Sequence, residues 1–191
     1  MYRIPVFILM IFVCSIAHAQ FTISDSIKVQ NFLMEEEFHQ VLNQAEELFL
    51  EKLNAYRKSK NAKKLKNVRV LDFMALNHSL WMRHHTKLTH NQKKGSTYFS
   101  GISLRSRLEF VNPKSDVGEL GENVAYINVP SKVWQSSPEE QAEFIAQDFF
   151  DTWKNSPGHR QNMLAKTYHF SGVSFLKIGN TIYGTQVFGG V

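Results

Sequence analysis

"WKNSPGHRQNML", residues 153 to 164, contains a helix start with a histidine in its first turn. Ser156 reads as the N-cap and Pro157 as the first helical residue, with its fixed φ and missing donor, so His159 falls at the third helical position. The positive end of a helix disfavours an imidazolium, which predicts a neutral His159 with a nitrogen lone pair free for a metal or a hydrogen bond. The plainer alternative is a surface histidine in a capped turn. The flanking sequence decides what this helix start packs against.

Immediately upstream, "SSPEEQAEFIAQDFFDTW" (136 to 153) predicts a helix with Ser137 as N-cap, Pro138 as its first residue and Glu140 closing a capping box. Ala142, Ile145, Phe149 and Trp153 form its apolar stripe. Downstream, "SGVSFLKIGNTIYGTQVFGG" (171 to 190) shows two strand-like runs around a turn at Gly179 and Asn180, which predicts a C-terminal β-hairpin. Farther back, Phe38, Val41, Leu42, Ala45, Leu48, Phe49, Leu53 and Tyr56 recur at spacings of three and four between Glu35 and Arg57, the pattern of one amphipathic helix with room for a single break. "LDFMALNHSLWMRHH" (71 to 85) puts Leu71, Ala75, His78, Ser79 and Met82 on one face of a second helix. His90 leaves that helix in the polar loop "THNQKKGSTYFSG" (89 to 101). Arg105 to Phe110 reads as a short helix, and "SDVGELGENVAYINV" (115 to 129) as a loop with turn glycines entering a short strand, with Glu122 at the entrance. Helices around a small sheet predict an α+β fold, an αβα layered arrangement.

The chain has 191 residues, of which 43% are hydrophobic and 20% charged, as expected for one globular domain. The first twenty, "MYRIPVFILMIFVCSIAHAQ", combine Arg3, an apolar run from Ile4 to Ile16 and an A-x-A end. This is the pattern of a signal peptide over residues 1–19, with Gln20 as the mature start, and it predicts export without a transmembrane anchor. Cys14, the only cysteine, lies inside that segment, so the mature chain is expected to have no disulfide and no thiolate metal ligand. "IFVC" also lacks the small residues expected before a lipidated cysteine.

Removing Arg3 leaves 21 basic against 17 acidic residues, a formal charge of +4. Much of the excess lies in "YRKSKNAKKLKNVR" (56 to 69), a solvated helix end and loop or a weak anionic-surface patch. No aromatic residues interleave with its lysines after Tyr56, and an exported chain of this kind is not expected to bind nucleic acid.

Three groups stand out chemically: His90, Glu122 and His159. Two imidazoles and a carboxylate suit a divalent ion such as Zn2+, or an acid and base pair, if the fold brings them together. A network holding the loops together is the other reading. There is no H-E-x-x-H, no Gly-x-Ser-x-Gly, no phosphate loop and no cysteine nucleophile in the mature chain.

"LNAYR" (53 to 57), "LDFMALNHSLWM" leading to "THNQ", "GELGENVAY" (118 to 126), "WKNSPGHRQNML" and "YGTQVFGG" (183 to 190) occur in the order seen in the CAP superfamily, the SCP-like extracellular proteins. The sequence resembles the short, cysteine-poor bacterial branch of that superfamily from about Leu48 onward. The resemblance implies a CAP domain over 48–191, preceded by a lead-in and helix start over 20–47. It also implies a three-layer αβα sandwich with a central cleft lined by two histidines and two acidic residues, sometimes occupied by zinc or another divalent cation. His90, Glu122 and His159 match three of these positions, and Ser156 stands at the fourth in place of an acid. Asn54 and Arg57 match the family's N-x-x-R and are expected to brace the first helix. Asn123 is expected to tie the GEN segment, and Gln186 to face the cleft. The function so implied is a secreted binding protein for a lipid, peptide or glycan. The alternatives are a metal-dependent hydrolase, or a structural or adhesion module with a vestigial cleft and Lys58 to Lys66 as its working surface.

Overall fold

The structure, a computed structural model, describes residues 36 to 191, and the expected signal peptide lies outside these residues. The chain runs through helix α1 (Glu36–Ser59), strand β1 (Lys66–Asn67), helices α2 (Arg69–His85) and α3 (Leu104–Val111), and strand β2 (Leu120–Asn128). Helices α4 (Pro138–Asn155) and α5 (Pro157–Leu164) follow, and strands β3 (Phe170–Ile178) and β4 (Thr181–Gly189) end the fold. The sheet order is β1-β3-β4-β2. β4 pairs antiparallel with both β2 and β3, and β1 pairs parallel with β3. No helix among the described residues is long and apolar enough to cross a membrane.

α1 is unbroken and continues two residues past Arg57. The lysine-rich connection after it contains β1, too short to show an alternating pattern; its register sets Lys66 opposite Phe170. The α4 capping box forms as the sequence predicts, with Ser137 and Glu140 each bonding the other's backbone N–H. Gly179 takes the left-handed conformation in the two-residue β3–β4 turn.

Side chains alternate across the sheet to give three layers. One face packs against α1 and α4, where Phe49, Phe149, Trp153 and Phe175 form a fully buried aromatic cluster. Phe149 and Phe175 stack at 4.2 Å, and Phe49 meets Trp153 edge-on at 5.0 Å. The other face packs against α2 and α3 through Leu71, Met74, Ala75, Leu108 and Val187. Gly172 allows this second layer its close approach: a Cβ there would lie 2.2 Å from the backbone of Leu71 and Asp72.

The GEN segment lies inside β2, where the sequence suggested a loop entering a strand. Gly121 makes no turn. It is paired with Phe188, and a Cβ on it would strike the Tyr168 hydroxyl and come within 2.8 Å of its ring. Glu122 and Val124 therefore project from a strand, on the α2 side of the sheet.

Candidate functional site

Glu122 is the centre of the candidate site. Its side chain is 4% exposed, and both carboxylate oxygens are engaged. Arg107 Nη2 donates to Oε2 at 2.6 Å, and His90 Nδ1 donates to Oε1 at 3.0 Å. His78 Nε2 lies 3.8 Å from Oε1 but donates to the Thr89 carbonyl at 2.7 Å. Its Nδ1 accepts from Gln92, so both ring nitrogens of His78 are used. His78 is a buried scaffold residue that holds the His90 loop against α2.

The electrostatics follow from this packing. Burial pushes the Glu122 carboxyl up, but the His90 hydrogen bond and the neighbouring His78 and Arg107 outweigh it and hold the group below its ordinary value. The bond to Glu122 raises His90, overcoming its partial burial. Burial drives His78 down to about 4, leaving it neutral.

His159 lies close enough to His90 for the two imidazoles to influence each other; burial, followed by that proximity, lowers its pKa. Helix α5 begins as predicted, with Pro157 in its first turn and extended backbone at Ser156, but the Ser156 side chain makes no capping bond. The segment is fixed instead from β2. Asn123 Nδ2 donates to the His159 carbonyl at 3.2 Å, and Asn162 Nδ2 donates to Asn123 Oδ1 at 2.9 Å and to the Glu122 carbonyl at 3.2 Å. His159 Nδ1 is buried and has no hydrogen-bond partner among the described residues. Ser156, half-buried at the α4–α5 junction, supplies no carboxylate.

The supporting residues divide by location. Asn54 clamps residue 65 through both its backbone N–H and its carbonyl. Arg57, fully buried, donates to the carbonyls of Lys63, Met163 and Ala165 and so ties α1 to the end of α5. Gln186 is fully buried, donates to Ser171 and lies 3.5 Å from the Asn123 amide. The lysines at 58, 60, 63, 64 and 66 are all exposed.

Two contributors were not singled out in the sequence. Gln92, 2% exposed, donates to Asn77 and His78 and accepts from the Ser100 N–H, anchoring the loop that carries His90. Arg107 is 1% exposed. Its signal was present: it shares a helical stripe with Leu104, Leu108 and Val111, and an arginine on a core-facing stripe requires a buried acceptor.

The donor set can be tested against the ion implied by the resemblance. Among the described residues no three His, Cys, Asp or Glu side chains are grouped to hold a metal ion. The single carboxylate at the centre is already paired with a guanidinium.

Beyond Glu122, the same face of β2 becomes aromatic. Val124 packs with Trp81, Met82 and Tyr183, with Tyr98 alongside. Tyr126 is 49% exposed, its ring 5.9 Å from that of Tyr183.

Comparison with known proteins agrees with this architecture. No curated protein matches the sequence significantly. Among solved structures, an outer surface protein from Borrelia burgdorferi aligns with a TM-score of 0.59 at 16% identity, covering 76% of this chain and 92% of that one. An extracellular protein containing an SCP domain, from Bacillus anthracis, aligns with a TM-score of 0.56 at 23% identity, covering 78% of this chain but only 41% of that longer one. At these identities the likeness is one of fold. The model of the CAP family, the cysteine-rich secretory protein family, matches residues 50–188, most of the chain and every element from the end of α1 to β4, so the chain belongs to the CAP family.

Proposed function

We propose that this chain is an extracellular binding module whose cleft takes a ligand with a polar head and an apolar body, such as a lipid or an apolar peptide. The observation that carries the reading is the gradient along one face of β2. Glu122, with half-exposed His90 above it, forms a polar end, and Val124, packed against buried Trp81 and Tyr183, leads along the strand to the half-buried Tyr98 and half-exposed Tyr126 at the apolar rim. From Glu122 to Tyr126 is four residues of strand, about 13 Å, the scale of a fatty-acyl segment or a short extended peptide. Aromatic side chains supply apolar contact at low entropic cost, and the fixed charges at one end orient the ligand.

Extracellular placement is supported by the N-terminal export pattern and by the outer-surface and extracellular descriptions of the two structural relatives. A hydrolase reading is less well supported. A Glu122 held ionised by its bonds to Arg107 and His90 is a weak base, and its oxygens are already committed.

Native mass spectrometry of the chain purified from culture medium tests the proposal, beside the variants Tyr126→Ala and His90→Ala. A co-purifying lipid or peptide that is lost from both variants is the expected result. Ligand-free protein from every preparation, with no change in tryptophan fluorescence on addition of fatty acids or apolar peptides, would count against it.

A further inference from the structure

We infer that Arg107 is the resident cation of the cleft: its guanidinium holds, at Glu122, the charge position that a divalent ion would have to occupy. The inference goes beyond the organic ligand proposed above and does not depend on it. The Arg107–Glu122 pair is buried on both sides, at 2.6 Å. A guanidinium does not give up its proton in a folded protein, so this positive charge is permanent.

The remaining donors cannot offset that charge. His90 commits Nδ1 to the second Glu122 oxygen and keeps Nε2, and both nitrogens of His78 are engaged by the Thr89 carbonyl and Gln92. Ser156 contributes no second carboxylate. An entering cation would therefore meet one carboxylate already neutralised and a fixed like charge beside it. The donors left over, His90 Nε2 and His159 Nδ1, are two neutral imidazole nitrogens, and beside a carboxylate already neutralised they fall short of the three protein ligands of an open zinc site.

Arg107 has one anchor for its charge. Its Nε and Nη1 find no acceptor among the described residues, so Glu122 is the group that keeps the guanidinium in place. Displacing Arg107 would leave an unpaired buried cation, which is why a metal cannot simply compete for the carboxylate. Removing the arginine by mutation has the opposite effect. Glu122 and His90 then become available together, and His159, close enough to His90 for the two rings to interact, has an unpartnered Nδ1.

Calorimetric titration of the purified full chain with zinc chloride near neutral pH, for the native protein, Arg107→Met and Arg107→Met combined with His90→Ala, tests this. The native chain is expected to show no one-to-one binding. Arg107→Met is expected to bind zinc at least about tenfold more tightly than the native chain, and the double variant to lose that gain. A zinc-dependent rise in melting temperature confined to Arg107→Met is the same result read through stability. One-to-one zinc binding by the native chain that His90→Ala abolishes overturns the inference. That measurement stands even if Arg107→Met fails to fold. Arg107→Met that folds and binds zinc no better than the native chain overturns it as well.

Discussion

Replacing Glu46 by glutamine should change how the stability of this domain responds to alkaline pH. On the side away from β4, β3 has only the two residues of β1 beside it, so Val173 and Phe175 present backbone N–H groups to the open side of the sheet. Two carboxyl groups fill that edge. Asp72 Oδ1 accepts from Val173 N at 3.2 Å, and Glu46 Oε1 accepts from Phe175 N at 2.7 Å. Burial, reinforced by the nearby charges of Asp72 and Glu47, pushes Glu46 from 4.5 up to about 8 despite the opposing Phe175 bond. Between those two values the folded state binds more protons than the unfolded chain, so stability is greatest at low pH and falls as pH rises through the folded value. At about 1.4 kcal/mol per pH unit the loss is bounded near 5 kcal/mol. A cavity of about 250 Å3 lined by Asn43, Glu46, Glu47, Leu50, Asn67, Asp72 and Val173 adjoins the carboxyl. Water there would reduce the loss to about 2–4 kcal/mol. The cavity lies at the β3 edge, across the sheet from Glu122, so the effect is separable from the cleft. Glu46→Gln keeps the acceptor for Phe175 N–H and cannot ionise. Urea unfolding at pH 5 and pH 9 should show the two proteins nearly equal at the lower value and the variant more stable by that amount at the higher. Parallel stability–pH curves for the two proteins would refute the reasoning.

Other substitutions test the remaining joints of the fold. Arg57→Lys keeps the charge but cannot reach the carbonyls of Lys63, Met163 and Ala165 together, and should cost about 2–4 kcal/mol in urea unfolding. Gly172→Ala drives a methyl into the Leu71–Asp72 backbone and should cost about 3 kcal/mol or more. Gly158→Ala, with nothing within 4 Å of the new methyl and a place in the first turn of α5, should be neutral or stabilising by up to about 1 kcal/mol, and thermal melts of the two alanine variants compare them directly. Ser137→Ala removes half of the α4 capping box and should cost about 1 kcal/mol in the same assay.

The parts of the fold that can be read from sequence are those whose cause lies within a few residues. Pro138 and Glu140 sit beside the Ser137 they assist, Gly179 occupies the turn it makes possible, and the stripe of Ala142, Ile145, Phe149 and Trp153 is visible because it repeats. β1 was hidden because its two residues owe their extended form to Phe170 and Ser171, more than a hundred positions away. Gly118 and Gly121 looked alike in sequence, and only the Tyr168 ring against Gly121 shows that this glycine makes room inside a strand. The cleft divides along the same line. The resemblance identified Glu122 as one of its residues, and the structure shows His90 bonded to it. What Glu122 can do is set by Arg107, fifteen residues earlier, whose type alone suggests a surface charge. A carboxylate paired with a buried arginine and the same carboxylate left unpaired have opposite tendencies: the first stays ionised and excludes cations, and the second seeks a proton or a metal. The chemistry of this cleft therefore turns on a residue that lies outside the set of two histidines and acids by which the cleft is recognised.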